Sequence, residues 1–407
     1  PVHAKKIRND LSVVQGLLAG QDPVYVSLAP SWTSEFPGIP AERIIACLKR
    51  LGFAGVSETA LGAQIVSDAL AEEMKDFHRG LKISSACPAV VSFLCRHMPE
   101  FAPNIARTLS PAQAHAKLLK ERFGENVRVV FVGPCIAKMN ESDRRPDLLS
   151  AAILFSQLRQ LFREKRLDPF RIETTPDDVF LPHRAREGVV YPVEGGMNET
   201  IRMHGGCDHV AWVALSGIPA LRQALNGLNP DELTEPVFLE ALACVGGCVH
   251  GPGTNHAEAG LLERLRVLRG AELSGPRPEK NPPKIDADFP KEPVAAQEFS
   301  LSQLHDALLL VGKRTEKDEL NCGGCGYDTC RNFARALLSG KAEPNMCVSY
   351  MRNLAQKKSN AILRCIPAAV AIADSKLALV ESNKRFAELC GEAGLQIWDV
   401  MPGMAGG

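Results

Sequence analysis

The sequence predicts an α/β protein with mostly parallel sheets flanked by helices. Three observations carry that prediction. Short apolar, β-branched runs alternate with longer segments of helical periodicity from residue 23 onward. The 407 residues, 45% hydrophobic and 23% charged, are ordinary for a chain that buries large cores. Several cysteines directly follow the apolar runs, where open α/β sheets place their sites.

The elements follow in order. "VYVSLAP" from Val24 reads as a buried strand. A helix is expected around 40–51 and a longer one around 58–79. "LKISS" reads as a strand, and "AVVSFLCRHM" and "PAQAHAKLLKERF" as helices. "VRVVFVG", "HVAWVALS" and "VFLEALAC" are three further strands. Residues 273–300 are rich in Pro and charge and read as an extended linker. A cysteine-rich module is expected over 301–360. Residues 361–407 read as two short strands and a helix that open another domain.

Lysine plus arginine equal aspartate plus glutamate, 47 each. A formal charge of zero argues against nucleic acid or an anionic membrane as partner. The longest apolar runs are too short to span a bilayer. Thirteen cysteines without a secretory segment point to a reducing, cytoplasmic setting and to metal in place of disulfides.

Cys322, Cys325, Cys330 and Cys347 form a C-x2-C-x4-C-x16-C set. Four thiolates can hold zinc or a [4Fe–4S] cluster. Glycines at 323, 324 and 326 let the backbone wrap such a centre. A second set is dispersed: Cys87 in "SSACPAVV", Cys135 in "PCIAKMNE", and Cys244 with Cys248 in "ACVGGCVHGPG". Lys138 lies one helical turn past Cys135. Gly246, Gly247, Gly251 and Gly253 permit close approach of backbone to a bulky group.

These three segments, in this order, resemble the catalytic domain of the [FeFe]-hydrogenases over about residues 23–272. The resemblance implies a two-lobed iron-hydrogenase fold and a six-iron H-cluster. Cys87, Cys135, Cys244 and Cys248 would hold a [4Fe–4S] cubane. Cys248 would bridge it to a two-iron unit carrying CO, cyanide and an azadithiolate. Lys138 would donate to a cyanide, with Pro30, Ser31 and Pro134 beside the two-iron unit and Glu141 orienting Lys138 or its loop. The implied activity is reversible heterolytic splitting of dihydrogen. Electrons would pass to accessory clusters and a redox partner such as a ferredoxin, and dedicated maturation proteins would supply the two-iron unit.

The sequence departs from the family at the proton path. Prototypical members carry cysteine just before the first ligand, where this chain has Ala86, which has no exchangeable proton. A relay serine aligns to Ala106, and two methionines near the two-iron unit align to Gly133 and Leu242. These departures resemble the sensory and divergent branches of the family. Downstream, "NCGGCGYDTC" resembles the four-cysteine [4Fe–4S] domain of such proteins. "IPAAVAIADSKLALVESNKRFAEL" resembles the incomplete opening of a PAS sensor domain, which could pair two copies. "PVHAKKI" resembles the end of a ferredoxin repeat, so residues 1–22 are expected as the tail of such a region and its connector.

The expected function is a sensory or slow hydrogenase. The alternative is a non-catalytic iron–sulfur protein of the same fold, holding a cubane only, in an assembly or scaffold role; a docking scaffold resting on the PAS-like end alone is a third reading. Glu72, Glu73 and Cys207 are candidates for another proton exit. Cys207, between His204 and His209, has metal-donor neighbours but no fourth partner. His250 and His256 flank the glycine-rich segment. Cys47, Cys95, Cys365 and Cys390 are expected in apolar cores.

Overall fold

The computed structural model describes residues 7–255, 260–270, 282–294, 298–376 and 378–390. The chain divides into two units, residues 1–294 and 295–407.

The first unit runs α1 (Leu11–Leu18), β1 (Val24–Leu28), α2 (Trp32–Glu35), α3 (Ala41–Arg50), β2 (Gly55–Glu58), α4 (Ala60–Lys75), β3 (Gly80–Ile83), α5 (Pro88–His97), α6 (Pro111–Phe123), β4 (Arg128–Gly133), α7 (Ala137–Arg144), β5 (Ala151–Leu154), α8 (Phe155–Glu164), α9 (Gly196–Arg202), β6 (Ala211–Ser216), α10 (Ile218–Leu225), β7 (Pro236–Leu242) and α11 (Leu261–Arg269). Two sheets form, both parallel throughout. One has the order β2-β1-β4-β5 and the other β3-β7-β6. Every strand expected from the sequence is present.

Local chemistry explains the helices that matter for the site. α5 starts at Cys87 with Pro88 at its first position, where a missing N–H costs nothing. α6 starts at Ser110, whose hydroxyl accepts from the Gln113 amide, again with proline next. It stops at Gly124, whose φ of +113° suits glycine. α3 buries Ile44, Ile45, Cys47 and Leu48 and ends in Lys49 and Arg50, cations at the negative end of the helix dipole. Phe101, Phe155 and Phe238 are fully buried, and burial of each such side chain contributes about 1.5–3 kcal/mol. Cys47 and Cys95 are buried as expected.

Parts of both flanking segments belong to this unit. Residues 1–22 were expected as a ferredoxin tail and connector, but Leu11 and Val14 on α1 join the core. Residues 282–294, inside the expected linker, lie along the unit as a strap. Ile285 is buried and accepts from the Leu109 amide, and the Glu292 amide donates to the Cys95 carbonyl. Apolar residues between the prolines anchor a segment whose composition reads as linker.

The second unit runs α12 (Leu301–Leu309), α13 (Cys330–Leu338), α14 (Val348–Cys365), β8 (Ala371–Ala373), β9 (Leu379–Ser382) and α15 (Lys384–Cys390). β8 and β9 pair antiparallel, so the two short strands and helix form as expected. Cys330 lies in one small apolar cluster with Leu304, Leu308 and Ala334. Cys347 lies in another with Val311 and Phe333. Cys365 is exposed, not core: it ends α14, a helix whose described side chains are mostly exposed. The Cys390 side chain lies outside the described residues.

Candidate iron–sulfur centres

The dispersed cysteines come together beyond the carboxyl ends of the parallel strands. Cys87 follows β3, Cys135 follows β4, and Cys244 and Cys248 follow β7. The connecting loops are tied to one another. The Gly253 amide donates to the Pro134 carbonyl at 2.7 Å, which joins the Cys135 and Cys248 loops. The Ser84 amide donates to the Leu239 carbonyl, and the Ala241 amide to the Ser84 hydroxyl, which joins the β3 and β7 ends. Gly247 has φ +102°, and a Cβ there would meet the Pro192 carbonyl oxygen at 2.2 Å, so only glycine fits this turn.

All four thiols line one cavity of about 730 Å³. Burial pushes the Cys135 thiol up to about 12, with the neighbouring Cys87 adding to the rise. Cys248 is pushed well above the usual thiol range by burial and then by Cys135, Cys87 and Cys244. Cys244 is raised for the same first reason. Thiolates crowded into a dry pocket repel one another, and a cationic cluster removes that penalty. The donor chemistry therefore fits an iron–sulfur group.

A second chamber of about 90 Å³ adjoins the first and shares Cys87, Pro134, Cys135 and Cys248 with it. Pro30, Ser31, Ala86, Lys138 and Leu242 also line it. The Lys138 ammonium is buried and donates to Glu141 Oε2 at 2.6 Å and to Ser110 Oγ at 2.8 Å. Ser31 is 1% exposed and its hydroxyl has no hydrogen-bond partner within the described structure. An orphaned buried hydroxyl and a fixed ammonium on one small chamber suit an acceptor-bearing ligand.

Sequence reasoning missed several residues here. Ser110 was visible only as a helix cap. Glu240, Tyr191 and Met197 line the small chamber from β7 and from the loop and helix before β6. Glu240 could have been noticed as the one charge in an apolar strand. At Gly133 a Cβ would meet the Phe131 ring at 2.6 Å and the Ala29 Cβ at 2.7 Å, so Phe131 occupies the space a side chain at 133 would need, and Phe131 itself lines the chamber.

Other candidates separate from the site. Glu72 is exposed and pairs with Lys75, and Glu73 pairs with Lys82, so neither sits on the cavities. Cys207 is buried with its thiol on the Ala71 carbonyl. His204 faces Asp68, and His209 faces the Phe77 carbonyl. Their partners draw the three apart from any shared metal, and among the described residues no three His, Cys, Asp or Glu side chains are close enough to share a single ion. His250 packs on Gly246, and His256 lies outside the described residues.

In the second unit, Cys322, Cys325, Cys330 and Cys347 all line one small cavity. Gly323 and Gly326 have φ of +68° and +85°, and the Gly326 amide donates to the Gly323 carbonyl. Asn321 accepts from the Cys330 amide at 2.7 Å, and Cys347 Sγ lies 3.2 Å from Ser349 Oγ. A tight turn carrying Cys322 and Cys325 thus shares this cavity with Cys330 at the start of α13 and Cys347 at the head of α14.

The profile of the family described as "Iron only hydrogenase large subunit, C-terminal domain" matches residues 22–252. The chain belongs to this family. The iron-only hydrogenase domain spans both sheets and all four dispersed cysteines. A second profile, described as "Putative Fe-S cluster", matches residues 318–349 and contains the other four. Iron hydrogenase 1 of Clostridium pasteurianum is 21% identical over 319 residues, covering 66% of this chain and 55% of the relative. The periplasmic [Fe] hydrogenase large subunit of Nitratidesulfovibrio vulgaris (strain Hildenborough) is 22% identical over 275 residues, covering 55% of this chain and 64% of the relative. The chain thus spans little more than half to about two thirds of these relatives' length. Among solved structures, a variant of the [FeFe]-hydrogenase HydA1 from Chlamydomonas reinhardtii aligns with a TM-score of 0.50 at 17% identity. That alignment covers 64% of this chain and 88% of the other, and it shows the shared fold. No helix among the described residues is long and apolar enough to cross a membrane.

Proposed function

We propose that this iron-only hydrogenase family member is a sensory or slow [FeFe]-hydrogenase. Cys87, Cys135, Cys244 and Cys248 would hold the cubane of an H-cluster, with Cys248 shared with its two-iron unit. When bound, that group supplies the site at which dihydrogen is split heterolytically and the first carrier of its electrons. The chain's own residues do the rest. Lys138 offers a buried, oriented ammonium, Ser31 an unused hydroxyl, and the apolar walls exclude water. The observation that carries the reading is the small chamber beside Cys248, lined by Lys138 and Ser31 and bounded by Ala86. A cubane alone needs four thiolates and no such chamber.

Ala86 supports the slow or sensory part of the reading, because a methyl group cannot relay a proton. Cys322, Cys325, Cys330 and Cys347 would hold an accessory [4Fe–4S] cluster that passes electrons onward. A multi-iron cluster is favoured over zinc for both cysteine sets by the two matching profiles, an iron-only hydrogenase domain and a putative Fe-S cluster domain. A redox partner, maturation proteins, a cytoplasmic location and a PAS-like output that pairs two copies complete the proposal.

Infrared spectroscopy of the matured protein tests it. CO and cyanide bands that shift under dihydrogen are expected. Their absence, after a maturation that succeeds on a control hydrogenase, would leave a cubane-only iron–sulfur protein.

A further inference from the structure

Splitting one dihydrogen releases two protons and two electrons. The electrons have iron–sulfur routes; the protons need an exchangeable group on the small chamber. Most of its wall, including Ala86, Pro30, Pro134 and Leu242, has none. The polar groups that line it are Ser31, Thr59, Tyr191, Lys138 and Glu240.

Four of these five are poor exits. The Ser31 hydroxyl has no partner to pass a proton to within the described structure. Thr59 bonds Ser27, which bonds His115 Nδ1, whose Nε2 bonds Ser57. All of these are buried, and burial holds His115 down to about 3, so the chain passes through a neutral imidazole and ends at Ser57 inside the protein. Burial raises the Tyr191 phenol, whose OH is committed to Ser67. Lys138 is committed to Glu141 and Ser110.

Glu240 differs. It sits on β7, the central strand of its sheet, and is 1% exposed. Its oxygens accept from the Gly195 amide at 3.1 Å and the Asn198 amide at 2.9 Å. Burial nevertheless outweighs those donors and pushes its carboxyl up to about 7. A carboxyl held near neutrality in this way can both take up and release a proton at physiological pH. The neighbouring charges are few. Glu194 adds to the rise, and the Tyr191 phenol is close enough to feel Glu240. Lys82 on β3 is engaged with Glu73, and Glu199 pairs with Arg202 on the exposed face of α9. β6 carries no ionisable residue. Glu194 is half-buried, and its Oε2 accepts from the Ser216 hydroxyl at 2.7 Å. Ser216 in turn accepts from the Gly246 amide, next to Val245, which is 70% exposed. Glu194 directly precedes Gly195, whose amide donates to Glu240, so a second and partly exposed carboxylate sits on the same loop that holds Glu240.

We propose that Glu240 is the proton-transfer group of the small chamber and Glu194 its exit to solvent. The inference rests on the hydrogenase reading above. A Glu240 carboxylate oxygen accepts a proton, passes it to the Glu194 carboxylate, and Glu194 releases it to water. Both carboxylates return to their starting state, and the reverse order delivers protons for dihydrogen formation.

The test uses the full chain, matured, as wild type and as Glu240→Gln, with exposed Glu72→Gln as control. The CO and cyanide bands report loading. Dihydrogen turnover and the pH titration of the protonated-carboxyl infrared band report the path. The expected result is normal CO and cyanide bands in all three proteins and turnover slowed about 10²-fold in Glu240→Gln alone. A carboxyl band that titrates near neutral pH in the wild type, even before the two-iron unit is inserted, should vanish in that variant. Unslowed turnover with normal bands, or no such carboxyl band, overturns the inference and leaves the hydrogenase reading standing. Absence of CO and cyanide bands from the wild type removes the reading and the inference with it. If Glu240→Gln fails to fold or load, Glu194→Gln decides: slowed turnover with normal bands supports the path, and an unchanged rate overturns it.

Discussion

The Lys138 ammonium lies 2.6 Å from the Glu141 carboxylate one helical turn along α7, and both side chains are buried. A pair in this setting is strongly coupled to stability, because removing one partner strands the other charge in a dry pocket. Glu141→Gln should therefore destabilise the first unit by about 3–5 kcal/mol, read as a lowered urea midpoint. A loss below about 1 kcal/mol would mean that water screens the pair.

On the proposed reading, Ala86 and Ala106 stand at the two positions where the family resemblance places proton relays. Ala86 borders the small chamber, and Ala106 is fully buried with its amide on the Ile83 carbonyl. A thiol placed at 86 would have no hydroxyl at 106 to hand a proton to. Ala86→Cys alone should change turnover by less than about tenfold, and Ala86→Cys with Ala106→Ser by more. Turnover of matured variants, normalised to cyanide band intensity, measures both. A large gain from the single change would contradict the two-step account.

His115 predicts an acid-sensitive fold. Its folded pKa is about 3, and an unfolded histidine titrates near 6.5. Between those values the unfolded chain binds the extra proton, so stability falls as pH falls. Lowering the pH from 7 to 5 should cost about 2 kcal/mol through this group alone. His115→Asn should flatten that limb in urea unfolding at the two pH values. An equal slope in the variant would assign the acid loss elsewhere.

Gly247 holds the Cys244–Cys248 turn against Pro192. Gly247→Ala forces backbone to move where a Cβ would lie 2.2 Å from a carbonyl oxygen. Iron bound by the first unit should drop while the second unit keeps its own. Iron analysis alongside the spectrum of the accessory cluster separates the two, and full iron retention would refute the packing argument.

On the proposed reading, the second unit depends on its cluster for stability. Its described apolar clusters are small and include Cys330 and Cys347 themselves. Iron chelation, or Cys347→Ser, should open α12 and α13 to hydrogen exchange while the parallel sheets of the first unit stay protected. Unchanged protection would mean that the apolar contacts suffice without metal.

Five of the seven parallel strands and the longer helices of the first unit were legible in the sequence, because periodicity is a local property; β2 and β5, only four residues each, were not. "VYVSLAP" and "VRVVFVG" could only be buried strands, and Cys135 after the second falls at a strand end whatever the tertiary arrangement. Cys322, Cys325, Cys330 and Cys347 could be grouped from spacing, while Cys87, Cys135, Cys244 and Cys248 were grouped by their strand-end positions and by the family resemblance. What surrounds them could not. Glu240 reads as one polar residue in a strand until β7 is placed between β3 and β6 and the α9 amides close over it. Ser110 reads as a helix cap until α7 brings Lys138 to it. Residues 282–294 read as linker until Ile285 finds its place in the core. Glu72 and Glu73 read as proton carriers until α4 turns them to solvent. Partner, burial and charge state come from contacts between residues far apart in sequence. The chain alone determined which residues can do chemistry; the packing of the two sheets decided which of them face the chamber where it would be done.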